Sequence, residues 1–166
     1  KKGIDDWITI DHIDGADIKT DIRKGIPLKS NSTELIYSSH FFEHLFFEDI
    51  CNVLKECLRV LKPGGQISIC VPDAKKFVTA YLNGMDANSY IAKMVDGQIM
   101  KLPDFIKPGE IIHAKGLINT GSAIDWLNYI AYSGGEHKYM FDKQNIESHL
   151  KLAGFISPIT REFKPE

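Results

Sequence analysis

An α/β fold built on parallel strands follows from three neighbouring observations. Residues 35–38, Leu-Ile-Tyr-Ser, are a short apolar run fit for a buried strand. Residues 46–61 carry Phe46, Ile50, Val53, Leu54, Cys57, Leu58 and Leu61 at spacings of three and four, which puts one apolar stripe on a helix. Pro63, Gly64 and Gly65 end that helix, and residues 66–71 form a second apolar run. Strand, helix and strand in this order make a βαβ unit, whose parallel strands need a crossover of about this length.

The bulk numbers set the frame for the other elements. A chain of 166 residues is long enough to bury the core of one domain. The formal charge is -2, from 20 basic and 22 acidic residues, with no basic stripe of the kind a nucleic-acid binder carries. No apolar run reaches membrane-spanning length and no signal peptide is visible, so neither a nucleic acid nor a membrane is expected as a partner. Cys51, Cys57 and Cys70 sit in apolar contexts without metal-type pairing and read as reduced, buried thiols of a cytoplasmic protein.

Taken in order, residues 7–11 predict a strand ending in a carboxylate, and 16–19 a weaker one closed by Asp21. Residues 23–32 hold Gly25, Pro27, Asn31 and Ser32 and read as loop. After the βαβ unit, 73–82 reads as a helix with Phe77, Val78, Tyr81 and Leu82 on one side. A short helix is expected over 89–95 and irregular chain over 97–116. A helix over 122–132 turns Ile124, Leu127, Ile130 and Ala131 inward. Asp142 is a natural N-cap and Gly154 a natural stop for a helix over 142–153, and 155–160 reads as a last strand.

The order of these pieces resembles class I S-adenosylmethionine-dependent methyltransferases. The resemblance is carried by Ser38-Ser39-His40, by Phe41-Phe42-Glu43-His44-Leu45 and by Arg59-Val60-Leu61-Lys62-Pro63-Gly64-Gly65. It extends upstream to residues 7–11 and 21–27, returns at 137–142 and 150–155, and is closest to a small bacterial group of predicted methyltransferases. It implies a Rossmann-like, mostly parallel sheet with helices on both faces. Residues 1–166 would be one domain, with 83–136 as a variable cap over a small-molecule or sugar acceptor.

Two parts of that pattern are missing. Nothing before Lys1 supplies the first strand and Gly-rich loop, Gly3 alone is not that loop, and the usual closing antiparallel strand is not evident. The absent strand would lie between those at 7–11 and 35–38, leaving a gap of roughly 10 Å at a strand spacing of about 4.8 Å. The sequence is then a fragment of a longer protein, or its sheet rearranges, or a second copy lends a strand in a homodimer; the fragment reading is preferred. Direct closure would put Ile8 or Ile10 in ladder contact with Leu35 or Tyr37.

Site residues follow from strand ends, where open α/β sheets bind ligands. By resemblance Asp11 takes the cofactor ribose, Asp21 and Ile22 meet adenine, and Ser39 and His40 face the methionine portion of S-adenosylmethionine. Asp73, after the next strand, either contacts substrate or caps the following helix. Tyr139 is a second substrate candidate. His44 and His137 are the catalytic candidates, His137 because the Gly134-Gly135 hinge can bring it over a cleft and an imidazole titrates near neutral pH. His113, His12 and His149 have no assigned role, and no metal is expected. Two further readings remain open: a degenerate, non-catalytic binding domain, and a zinc-dependent hydrolase. The latter uses His40, Glu43 and His44, which spell H-x-x-E-H; no third ligand stands out, although Glu110 and Glu136 are available.

Overall fold

The computed structural model describes residues 7–83, 111–112, 117–118, 122 and 124–161. The expectations for 89–95, for most of 97–116 and for His113 fall outside them. The elements are β1 (Ile10–Asp11), β2 (Ile18–Lys19), β3 (Thr33–Ser39), α1 (Phe47–Val60), β4 (Leu61–Cys70), α2 (Ala74–Leu82), β5 (Ile111–Ile112), β6 (Leu117–Ile118), α3 (Ile124–Tyr132) and α4 (Lys143–Ala153). Short 3-10 turns at Ile22–Lys24, Phe42–His44 and Ser133–Gly135 join them.

The β3–α1–β4 unit is as the sequence predicts: β3 and β4 run parallel, with Leu35 opposite Gln66 and Ser39 opposite Cys70. The register jumps between Thr33, which faces Leu61, and Leu35, so residues 62–65 bulge from β4. Gly65 is needed there. A Cβ would lie 2.9 Å from the Lys62 carbonyl oxygen and 3.0 Å from that of Glu34, and backbone cannot swing away.

Helix α1 buries Ile50, Val53, Leu54, Cys57 and Val60, the stripe set by its spacing. These residues meet Phe42, Leu45, Phe141 and Ala153, with Ile36, Ile67 and Ile69 supplied by the strands and Ile146 and Leu150 by α4. The side chains of Leu35 and Tyr37, one face over on β3, are exposed. The loop after β2 is tied to α1 by ion-pair chemistry: the Glu56 carboxylate accepts the Ile26 N–H at 3.0 Å, and Arg59 donates to the Ile26 and Leu28 carbonyls at 2.7 and 2.9 Å.

The structure corrects four expectations. The first strand begins at Ile10 rather than at residue 7, because Thr9 is engaged by the Asp17 side chain and its ladder to β2 has two residue pairs. Ile10 pairs with Ile18, and among the described residues no ladder joins β1 to β3, so direct closure of the sheet does not occur. Residues 155–160 form no strand: Ile156 and Ile159 are exposed and Ser157 has a φ of 51°, and β-propensity there meets no partner edge among the described residues. Ile124 points outward on α3, and Asp125 is the buried residue of that turn. The thiols also differ from one another. Cys57 alone is buried, which pushes its pKa up to about 12, while Cys51 and Cys70 are half-buried. Among the described residues no helix is long and apolar enough to cross a membrane.

Candidate functional site

The C-terminal end of the β3–β4 pair gathers chemistry from two distant parts of the chain. His40 leaves β3 with a φ of 51°, its N–H donating to the Cys70 carbonyl at 3.0 Å. The chain then turns tightly through Phe42–His44, with Phe42 and Leu45 anchored in the core. This turn drives Glu43 inward, where it is 2% exposed. The Glu43 carbonyl accepts the N–H groups of Lys138 and Tyr139 at 2.7 and 3.2 Å, and this brings the segment that follows α3 beside the turn. Phe141, fully buried, and the Ala74 N–H bond to its carbonyl at 2.7 Å hold the far end of that segment.

Two imidazoles meet across this junction. The rings of His44 and His137 stand edge to face with centroids 4.9 Å apart. His44 Nδ1 lies 3.2 Å from the Glu136 carbonyl oxygen, and His137 Nδ1 lies 2.7 Å from that of Ile130. The Gly134-Gly135 turn, with φ of 68° and 92°, brings His137 here, as the hinge reading expects. Glu43 faces both rings: one ligating atom from each of Glu43, His44 and His137 lies within 4.8 Å of the others. Glu43 Oε1 is 3.1 Å from His40 Nδ1, and Oε2 is buried with no hydrogen-bond partner among the described residues.

The remaining predicted residues take other positions. Asp11 ends β1 with a half-exposed carboxylate; Oδ1 accepts the His12 N–H at 2.6 Å and lies 2.9 Å from His12 Nδ1. Asp21 is committed to Arg23, whose Nε and terminal nitrogen donate to its two oxygens at 2.8 Å each. This pairing holds the Asp21 carboxyl down at about 2. Ile22 packs against the core rather than standing free for a ring. Ser39 is exposed at the end of β3. Asp73 caps α2 by accepting the Lys75 N–H at 3.1 Å. Tyr139 places its hydroxyl 3.3 Å from His149 Nε2 and its ring edge-on to Phe141. A surface cavity of about 410 Å³ is bordered by Tyr139, Asp142, Asn145 and His149, and among the expected site residues Tyr139 alone lines it.

The H-x-x-E-H reading needs two histidines on one helix face. His40 lies outside the 3-10 turn that holds Glu43 and His44, with left-handed backbone, so that ligand set does not form. The residue that completes the cluster is His137, which local spacing around His44 had no means of indicating.

Parallel strands joined by an α crossover make an α/β unit consistent with the Rossmann-like class, in which open sheets bind ligands at the strand C-terminal edge. Residues 10–69, from β1 to the end of β4, match the family of the methyltransferase domain. The match bears out the resemblance to class I S-adenosylmethionine-dependent methyltransferases over this segment. Comparison with curated proteins and with solved structures gave no match.

Proposed function

We propose that the protein transfers the methyl group of S-adenosylmethionine to a small-molecule or sugar acceptor. The observation that carries this reading is the methyltransferase-domain match over residues 10–69, folded as a parallel β3–α1–β4 unit. When bound, the cofactor supplies an electrophilic methyl group on a cationic sulfonium, a leaving group that needs no acid. The residues therefore have to bind, align and exclude water rather than shuttle protons. Asp11 fits the ribose hydroxyls through its half-exposed carboxylate, and the exposed Ser39 fits the methionine end. Asp21 contributes by bracing the turn at Ile22–Lys24 through Arg23. Asp73 and Tyr139 hold the elements around the acceptor side, the first as a cap and the second as packing against His149 and Phe141.

Calorimetry of the intact protein with S-adenosylmethionine tests this directly. Saturable binding is expected, with Asp11→Ala weakening it by about 10- to 100-fold, the equivalent of one lost charge-assisted hydrogen bond of roughly 1.5–3 kcal/mol. Absence of binding to the wild-type protein would remove the cofactor from the proposal. Unchanged affinity in the variant would remove Asp11 from the site.

A further inference from the structure

We propose that Glu43, His44 and His137 bind a divalent first-row transition ion. The ligand set is two imidazole nitrogens and one carboxylate oxygen, with the remaining coordination positions left to water or to a substrate oxygen. The assignment is independent of the methyl-transfer reading.

Three features of the cluster argue for an ion rather than for a packed polar knot. The first is the direction of the imidazole hydrogens. The nearest partner of each Nδ1 is a main-chain carbonyl, of Glu136 for His44 and of Ile130 for His137, and a carbonyl only accepts. Each Nδ1 therefore carries the hydrogen, and the lone pair of each neutral ring falls on Nε2. A main-chain carbonyl behind a histidine is the usual outer partner of a metal ligand; it fixes both tautomer and ring plane.

The second feature is Glu43. Its Oε1 is held by His40 at 3.1 Å, while Oε2 is buried without a hydrogen-bond partner among the described residues, in a side chain only 2% exposed. An uncompensated buried carboxylate oxygen is costly, and a cation removes that cost. The Nε2 lone pair of neither ring can satisfy it, because all three are acceptors. A positive ion satisfies all three at once.

The third feature is distance and access. Tetrahedral bonds of about 2.0–2.1 Å put ligand atoms about 3.4 Å apart, and the present separation of at most 4.8 Å closes by small side-chain rotations. Both histidines are half-exposed, which gives an ion a way in. Nitrogen donors with one carboxylate suit zinc, iron, cobalt or nickel and disfavour magnesium and calcium, which take oxygen cages. An Nε2 lone pair given to an ion is unavailable as a proton acceptor, so this role replaces general-base chemistry at His44 and His137.

Protein stripped with a chelator and dialysed is titrated with cobalt(II) chloride, read by visible d–d absorption and by calorimetry. One ion per chain is expected, displaced by stoichiometric zinc and not by a large excess of magnesium. Saturating zinc should raise the melting temperature, since an ion that binds only the folded state stabilises it. His44→Ala and His137→Ala, each checked for folding by circular dichroism, should weaken cobalt binding by about 100-fold or more. His40→Ala, which frees the outer oxygen of Glu43, should weaken it by about 10-fold. His12→Ala, on the exposed turn after β1, should leave it unchanged. Should a ligand variant fail to fold, zinc protection of His44 and His137 in the wild-type protein against diethylpyrocarbonate, located by peptide mass, gives the same answer. Absence of stoichiometric binding, full binding in folded His44→Ala and His137→Ala, or protection confined to other histidines would overturn the site.

Discussion

Glu56 shows how one side chain can hold an approach to a ligand edge. Its carboxylate accepts from the Ile26 N–H and from Arg59, and Arg59 in turn reaches the carbonyls of Ile26 and Leu28. Hydrogen bonding to Arg59, then to the Ile26 N–H, lowers the Glu56 pKa to about 2. The sign of the linkage follows: a folded-state pKa below the unfolded value of about 4.3 adds stability above that value, and the stability is lost as pH falls towards about 2. Glu56→Gln should therefore be less stable than wild type at pH 7, and the two should converge in urea-melt midpoints as pH falls from about 4.3 towards about 2. Parallel pH profiles for the two proteins would contradict this role. The sequence exposed Glu56 and Arg59 only as polar residues three apart on a helix; their partners lie about thirty residues upstream, so spacing alone gave no sign of the clamp.

At the scale of single elements, α4 was the most legible. Asp142 accepts the Asn145 N–H at 2.8 Å and the Asn145 side chain returns a bond to the Asp142 N–H at 3.0 Å, a reciprocal cap. Gly154 closes the helix at φ 106° and ψ 5°, and a Cβ there would meet Leu58 Cδ2 at 2.9 Å. Gly154→Ala should cost about 1–2 kcal/mol in chemical denaturation from left-handed strain, and more if Leu58 cannot yield; an unchanged midpoint would mean that the α1–α4 contact is loose. Asp142→Ala should cost about 1 kcal/mol by loss of the cap. The misread element, 155–160, shows the limit of the same method. Its apolar residues suit a strand, but strand identity depends on a neighbour, and among the described residues no edge is presented to Ile156 or Ile159.

At the scale of the whole molecule, the packing of the described residues is concentrated in one unit. The β3–β4 ladder joins six residue pairs and shares a core with α1 and α4, whereas β1–β2 has two pairs, among exposed Ile8 and Ile13. Native-state hydrogen exchange should follow that division. Amides of Ile36, Ile67 and Leu54 should exchange only by global opening, and those of Ile18 and Thr20 by local opening at much lower free energy. Equal protection of the two sets would show that β1–β2 belongs to the same cooperative unit, through pairing with a further strand. Leu54→Ala, at 0% exposure in the centre of that unit, should cost about 2–5 kcal/mol in the same denaturation experiment.

The sequence by itself determined what depends on local periodicity and local chemistry. This covers the amphipathic stripe of α1, the parallel β3–α1–β4 unit, the two ends of α4 and the likeness of residues 10–69 to the methyltransferase domain, whereas α1 ends at Val60, ahead of the expected break, and Pro63-Gly64-Gly65 lie within β4. Glu43 and His44 also stood out, through the H-x-x-E-H spelling and the stretch that carries the family resemblance. Tertiary structure alone decided which groups meet. Arg23 occupies Asp21, the 3-10 turn separates His40 from His44, and the main-chain bonds from Lys138 and Tyr139 to the Glu43 carbonyl carry His137 across more than ninety residues to complete the cluster. The physical reason is the same in each case. Helix periods, caps and turns arise from neighbours along the chain, whereas the partner of a buried polar group is chosen by which distant segment the core delivers to it.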